Sequence, residues 1–122
     1  MNENTFLFDT YAILEIINGN KNYEKYLDSA IIINDFIFAE LCYKLLREGV
    51  DSGEDYIERY SKFILEVEPI IIKEAMLFRI ANIKRKASMT DCVSYIMARK
   101  LNIKFLTGDK EFKDFPGVEF VK

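Results

Sequence analysis

The chain has 122 residues, with 17 basic and 20 acidic side chains, no histidine, and a net charge of −3 at pH 7. The lack of histidine excludes Ser-His-Asp and Cys-His nucleophile systems, and the widely separated Cys42 and Cys92 argue against a zinc site or a disulfide scaffold. No apolar stretch approaches the ~20 residues that span a bilayer, and the N-terminus lacks the basic region of a signal peptide. The composition therefore predicts one cytoplasmic globular domain over residues 1–122, without a membrane partner.

Short apolar runs alternate with helical patterns along the chain, which is typical of a parallel sheet covered by helices on both faces. The predicted strands are Thr5–Phe8, Ala30–Ile33, Leu65–Glu68, Ile103–Leu106 and Val118–Val121. The predicted helices follow Asp9, surround Tyr23–Leu27, begin at the capping residues Asn34 and Asp35, and cover Glu54–Ile64, Ile72–Lys84 and Thr90–Leu101. We therefore predict an α/β fold in three layers, with a mostly parallel sheet of four to five strands flanked by helices.

Four acidic residues interrupt or end apolar stretches in four separate elements: Asp9, Glu40, Asp91 and Asp109. Asp9 directly follows the first predicted strand, and Asp109 lies just beyond the strand Ile103–Leu106. The other two lie inside or at the start of predicted helices. Strand ends and helix starts open on one edge of a doubly wound sheet, where ligands bind. We therefore predict that the four carboxylates meet there.

Each acidic residue also has a local explanation. Asp9 could cap the first helix, and Asp91 could form a capping box with Ser88. Glu40 could form a surface ion pair with the lysine one turn later, which contributes only a few tenths of a kcal/mol. Asp109 could serve only as a turn residue.

A cluster of these four side chains would have a definite chemical consequence. Like charges ~4 Å apart repel by about 4 kcal/mol at an effective dielectric constant near 20, so the cluster requires a cation or raised pKa values. Oxygen ligands without histidine or cysteine favour Mg²⁺ or Mn²⁺, which suit phosphodiester hydrolysis. Removing these four from the 20 acidic residues leaves 16 against 17 basic residues, a balance that allows approach to phosphate.

Hydroxyl and basic groups accompany the acidic residues. Thr10 and Thr107 stand beside Asp9 and Asp109, and their hydroxyls could hydrogen-bond a metal-bound water, a phosphate or the local backbone. Eight basic residues near the later acids could form a rim that tracks phosphates, or an ordinary solvated face. These are Lys84, Arg85, Lys86, Arg99, Lys100, Lys104, Lys110 and Lys113.

Four short motifs hold the acidic residues in a characteristic order. They are Phe8-Asp9-Thr10, Ala39-Glu40-Leu41, Thr90-Asp91-Cys92, and Thr107-Gly108-Asp109-Lys110-Glu111-Phe112 followed by Pro116-Gly117-Val118. Over nearly the whole chain this order resembles the PIN-domain ribonucleases, especially the VapC toxins of prokaryotic toxin-antitoxin pairs. The Thr-x-Asp-x-x-Phe stretch is the most specific part of the resemblance.

The resemblance implies a single PIN-like nuclease domain that cleaves single-stranded RNA, with Mg²⁺ or Mn²⁺ as cofactor. It also implies that Asp9, Glu40, Asp91 and Asp109 are both the metal ligands and the catalytic residues. Homodimers and a small antitoxin, whose peptide enters the active-site groove, are further implied. Four aromatic residues would suit such an interface or ordinary core packing: Phe36, Tyr43, Tyr56 and Tyr60.

Two other functions compete with this reading. A PIN fold that binds RNA or protein without cutting is the main alternative, although all four acidic residues are present. A receiver-like module with a phosphoacceptor aspartate would place paired acids after the first strand, whereas Asp9 stands alone.

Overall fold

A computed structural model describes residues 3–122; Met1 and Asn2, which belong to the predicted domain of residues 1–122, lie outside the described residues. The strands are β1 (Thr5–Phe8), β2 (Ala30–Ile32), β3 (Lys104–Thr107) and β4 (Val118–Phe120). The helices are α1 (Thr10–Ile17), α2 (Asp35–Glu48), α3 (Gly53–Ser61), α4 (Pro69–Ala81) and α5 (Met89–Leu101), and short 3₁₀ helices cover Lys21–Tyr26 and Lys110–Phe112.

The four strands form one parallel sheet in the order β2-β1-β3-β4. All four residues of β1 are buried. Because successive side chains of a strand point to opposite faces, helices must cover the sheet on both sides. The predicted α/β fold with a parallel sheet flanked by helices is therefore confirmed.

The pairing register of β1 and β3 places the residues that follow these two strands next to each other. Phe8 at the end of β1 pairs with Leu106 in β3, so Asp9 and Thr107 follow side by side at the same edge of the sheet. Phe8 and Leu106 are fully buried, together with Phe105. The last residues of β1 and β3 are thus held by the core, which gives the groups beyond them a rigid base.

The predicted strand Leu65–Glu68 is wrong. Only Ile64 forms a bridge in this segment, to Ile33, while Leu65 is 39% exposed. Glu68 does have extended backbone angles, because the residue before a proline is restricted to that region. Extended backbone without a continuous partner does not make a strand. The chain between β2 and β3 therefore contains four helices and no further strand of the sheet.

Helix ends follow the capping chemistry of the sequence. The side chain of Asn34 accepts a hydrogen bond from the Ile37 amide at 2.9 Å, as predicted for a capping residue, and Gly49 ends α2 in the left-handed conformation. Helix α4 begins three residues earlier than predicted, because Pro69 occupies its first position rather than closing a strand. No helix within residues 3–122 is long and apolar enough to cross a bilayer.

Candidate active site

An open groove at the carboxyl edge of β1 and β3 holds all four predicted acidic residues. Asp9, Glu40, Asp91 and Asp109 line it, and its volume is about 760 Å³. This volume lies within the range of ligand sites, about 300–1,000 Å³. The tertiary fold therefore brings four separate chain segments to one concave surface, while their role as ligands and catalysts stays a prediction.

Asp9 lies at the bottom of the groove and is only 4% exposed. Asp9 is the N-cap residue of α1, as the local explanation expects, but its side chain makes no hydrogen bond that caps the helix. The carboxyl oxygen Oδ2 instead accepts a hydrogen bond from the Thr107 hydroxyl at 2.7 Å. The end of β3 thus orients the carboxyl group at the end of β1.

Glu40 is directed toward α1 by a second threonine. The Thr10 hydroxyl donates a hydrogen bond to Glu40 Oε1 at 2.8 Å, which ties the first turn of α1 to the middle of α2. The ion pairs found within residues 3–122 do not include one between Glu40 and Lys44, so the predicted surface pair is wrong. Both threonine hydroxyls donate to acidic side chains, and the Thr107 hydroxyl also accepts from the local backbone.

Asp91 forms the predicted capping box and also lines the groove. Ser88 Oγ accepts from the Asp91 amide at 3.1 Å, and Asp91 Oδ2 accepts from the Ser88 amide at 3.3 Å. The capping box fixes the carboxylate at the N-terminus of α5, near the carboxyl groups of Glu40 and Asp109. The structural and the functional interpretation of Asp91 are therefore compatible.

Asp109 also forms hydrogen bonds with its neighbours in the chain. Its Oδ1 accepts from the Glu111 amide at 2.9 Å, and its own amide donates to the Thr107 hydroxyl at 3.0 Å. Thr107 therefore connects Asp9 and Asp109 directly. The predicted turn role of Asp109 is confirmed, and it does not remove the side chain from the groove.

Burial and mutual repulsion change the acidity of two of these groups. Burial, followed by the negative charge of Asp91, raises the pKa of Asp9 from 3.8 to about 8, against the lowering effect of the Thr107 hydrogen bond. Burial also raises the pKa of Asp91, to which Asp109 and Glu40 add, while the bonds to Ser88 oppose it. The ionised forms of Asp9 and Asp91 are therefore less stable in the groove than in water.

The donor set suits a divalent cation. All four groups are carboxyls, which Mg²⁺ and Mn²⁺ prefer, and a buried carboxyl among like charges is stabilised when a cation binds. No three acidic or cysteine side chains among the described residues already lie close enough to form a metal site. Side chains would therefore have to move together for one ion to bridge three of them.

The raised pKa of Asp9 predicts a pH dependence of folding in the absence of metal. The folded protein binds the Asp9 proton more tightly than the unfolded chain, so the contribution of Asp9 to stability is complete below about pH 4 and is lost as pH rises toward about 8. Each unit of pKa difference corresponds to about 1.4 kcal/mol, so the loss is on the order of a few kcal/mol.

Urea unfolding at several pH values with a chelator present measures this dependence. Asp9→Asn removes the titrating group, while its amide oxygen can still accept from Thr107. We therefore expect a flatter pH profile for the variant and a gain in stability at pH 8. Parallel profiles for the variant and the natural protein would show that Asp9 does not titrate in this range.

Most of the predicted basic rim does not reach the groove. Of the eight basic residues selected from the sequence, Lys110 alone lines it. Lys100 is paired with Glu74 at 2.8 Å, and the Arg85 guanidinium lies 4.5 Å from the Phe115 ring centroid. An ordinary surface role explains these side chains.

The groove also contains residues that were not selected from the sequence as site residues. Lys44, Lys122 and Tyr11 line the same groove as the four acids. Tyr11 lies two residues after Asp9 and Lys44 lies one helical turn after Glu40, so spacing from the acids was the available signal for these two. For Lys122 there was no such signal, because it is far from any of the four in sequence and only folding brings it there.

These features define the class: an α/β protein with an acidic groove where parallel strands end. The PIN domain family model matches residues 6–118, and the chain belongs to the PIN domain family. None of the curated proteins compared with the chain matches it significantly.

Solved structures with the same fold include toxins and toxin-antitoxin complexes. A toxin-antitoxin complex from Klebsiella pneumoniae has a TM-score of 0.75 at 19% identity, covering 93% of this chain and 94% of that one. VapC20 from Mycobacterium tuberculosis, a sarcin-ricin loop cleaving toxin, has a TM-score of 0.76 at 17% identity, covering 96% and 99%. VapBC2 from Rickettsia felis, bound to a DNA fragment from its promoter, has a TM-score of 0.75 at 16% identity, covering 97% and 99%. The predicted membership of the PIN domain family is therefore confirmed, and the chain shares its fold with solved VapC structures.

Proposed function

We propose that this chain is a metal-dependent endoribonuclease and the toxin of a VapBC-type toxin-antitoxin pair. The observation that carries the proposal is the placement of four carboxyl side chains, from four separate elements, in one groove of a PIN fold. The raised pKa of Asp9 adds to it, because strongly perturbed acids in a cleft are typical of functional sites.

Asp9, Glu40, Asp91 and Asp109 would hold Mg²⁺ or Mn²⁺ and act as the catalytic residues. When bound, the ion lowers the pKa of a water molecule and stabilises the charge on the leaving oxygen of the phosphodiester. The chain itself orients the four ligands. Each carboxyl group accepts a hydrogen bond from another residue, and such supporting bonds preorganise a metal site. The donors are the Thr107 hydroxyl, the Thr10 hydroxyl, the Ser88 amide and the Glu111 amide.

RNA is the proposed substrate. The mycobacterial neighbour is described as cleaving the sarcin-ricin loop, and the present groove is open, with a volume of about 760 Å³. Lys44, Lys110 and Lys122 line it and supply the positive charge that phosphate contacts need. Of these three lysines, Lys110 belongs to the basic rim predicted from the sequence, whereas Lys44 and Lys122 do not.

A small antitoxin and a second copy of the chain are the proposed protein partners. Two structural neighbours are complexes of toxin with antitoxin. The chain also exposes apolar side chains near the C-terminal end of α4, with Leu77, Ile80 and Ile83 each more than half exposed. Of the aromatic residues predicted for an interface, Tyr43 is 61% exposed whereas Tyr60 is buried, so the aromatic contribution is smaller than expected.

Cleavage of a panel of single-stranded and structured RNAs tests the proposed function. The purified chain is incubated with Mg²⁺, with Mn²⁺ and with a chelator. We expect discrete cuts with either metal and none with chelator, because the carboxyl groups cannot activate water alone. Cuts that survive the chelator would contradict the metal-dependent mechanism.

A PIN fold that binds RNA or protein without cutting is the second candidate. It is favoured by one observation, the lack of three ligand side chains already close enough for a metal among residues 3–122. Mn²⁺ titration separates the two candidates. Saturable Mn²⁺ binding that is lost with chelator and with Asp9→Asn supports the nuclease, whereas RNA binding without any metal binding supports the non-cutting module.

A further inference from the structure

Tyr11 is an aromatic residue of the groove that the proposed mechanism does not use. It lies in the first turn of α1, lines the groove that holds the four acidic residues, and is partly exposed. The hydroxyl groups of the buried Tyr23, Tyr26 and Tyr95 each donate a hydrogen bond inside the protein. The Tyr11 hydroxyl has no such partner within residues 3–122. The hydroxyl and the exposed part of the ring are therefore accessible from the groove.

The edge of the Tyr11 ring packs on the backbone between β3 and Asp109. A Cβ atom added at Gly108 would lie 2.6 Å from Tyr11 Cζ and 2.5 Å from the carbonyl oxygen of Val121. Only glycine leaves room for the ring at this place. The close packing holds the ring beside Asp109, at the border of the acidic groove, instead of letting it rotate into solvent.

A lysine completes the arrangement. The Lys122 Nζ atom lies 5.5 Å from the centroid of the Tyr11 ring, a cation–π distance. The carbonyl oxygen of Lys122 accepts a hydrogen bond from the Asn22 side chain at 3.0 Å, which holds this residue at the groove. An aromatic ring and a positive charge therefore lie together in the groove that holds the four carboxyl groups.

We propose that Tyr11 and Lys122 form a nucleotide subsite, in which the ring stacks on one base of single-stranded RNA and the ammonium group contacts its phosphate. Aromatic stacking with adjacent positive charge is a general mode of binding unpaired nucleotides. A base inside a duplex is already stacked on its neighbours, so the subsite selects unpaired RNA. The inference rests on the proposed function and names the substrate contact next to the four carboxyl groups.

Equilibrium binding of short fluorescein-labelled oligouridylate and oligoadenylate tests the subsite. All measurements use Asp9→Asn with Mg²⁺, so that bound RNA is not cut. In this background Tyr11→Ala and Tyr11→Leu are compared with Tyr11→Phe; the leucine can pack against Gly108 but cannot stack on a base. Tyr43→Ala is the matched control, because Tyr43 is an exposed tyrosine with an Arg47 guanidinium 5.0 Å from its ring centroid, yet it lies outside the groove.

We expect Tyr11→Ala and Tyr11→Leu to weaken RNA binding by about 5- to 100-fold, the range of one base–aromatic stack. Tyr11→Phe and Tyr43→Ala should bind nearly as well as the Asp9→Asn reference. The loss should disappear on an RNA of equal length whose sugars lack bases, because the phosphate contacts remain.

Two results would overturn the subsite, and they separate it from the proposed function. Equal binding by the Tyr11→Leu and Tyr11→Phe variants, while the natural chain still cuts RNA, removes the subsite and leaves the nuclease intact. An equal loss on base-free RNA means that Tyr11 acts on the phosphate path or on the fold, which also refutes stacking. If the reference protein binds none of the RNAs and the natural chain cuts none, both proposals fail.

Discussion

Asp9→Asn is expected to reduce metal-dependent RNA cleavage by at least about 100-fold while the protein stays folded. Changing a group that merely supports a metal ligand costs about 10–100-fold, and removing the charge of a buried ligand should cost more. Asp9 is the most buried of the four acidic residues and the one bonded to Thr107, so it should be the hardest to replace. Initial rates on one cleaved RNA, at saturating Mn²⁺, measure the effect.

The fold of this variant should survive for a physical reason. An asparagine oxygen can still accept from the Thr107 hydroxyl, and a neutral side chain no longer repels the nearby carboxylates. Asp114→Asn is the matched control, because Asp114 lies close in sequence to Asp109 but is exposed and does not line the groove. Full activity in both variants would remove Asp9 from the proposed mechanism, and equal loss in both would point to a nonspecific effect.

Gly108→Ala is expected to destabilise the protein by about 3 kcal/mol, at the upper end of the usual cost of overpacking. The added methyl group would meet the Tyr11 ring and, at 2.5 Å, the Val121 carbonyl oxygen. A flexible side chain could move away, but a carbonyl oxygen belongs to the backbone that follows β4. The expected loss corresponds to a melting temperature lower by about 10 °C.

Gly53→Ala is the control for this substitution. Gly53 is also buried, yet an added Cβ would find its nearest atoms at 3.7 Å or more, which is ordinary contact. Alanine in a helix is favoured over glycine by about 0.5–1 kcal/mol, so this variant should be neutral or slightly more stable. Thermal unfolding of the two variants beside the natural protein gives the comparison. If Gly108→Ala were as stable as Gly53→Ala, the backbone at Val121 would have to move away from residue 108 with little loss of stability.

Neighbours in the sequence account for the side-chain hydrogen bonds of Asp91 and Asp109 but not for those of Asp9 and Glu40. The capping box of Asp91 and the turn at Asp109 depend on neighbours within three positions, so they follow from the sequence. The side chains of Asp9 and Glu40 bond to threonines that are 98 and 30 positions away. No local pattern contains those partners, because they meet only when β1 lies beside β3 and α1 lies beside α2.

The difference between local and distant partners also explains why most of the predicted basic rim does not reach the groove and why the predicted strand Leu65–Glu68 is absent. The later lysines and arginines are close to the acidic residues in sequence, but most of them point elsewhere, while Lys122 reaches the groove from the end of the chain. Leu65–Glu68 alternates apolar and acidic residues as a strand does, but only one bridge joins its neighbour Ile64 to the sheet. Strand formation requires a partner, and partner choice is a property of the whole fold.

Apolar periodicity and capping are local properties of the chain, so the sequence predicts the α/β class, most helix starts and ends, and the four acidic positions. Folding is needed to show which hydroxyl orients which carboxyl group, which lysines reach the groove, and that Tyr11 packs on Gly108 beside Lys122. These contacts depend on the register of parallel strands and on the packing of helices over them. A shift of one residue in β1 against β3 would separate Asp9 from Thr107, although every local preference of the sequence would stay the same.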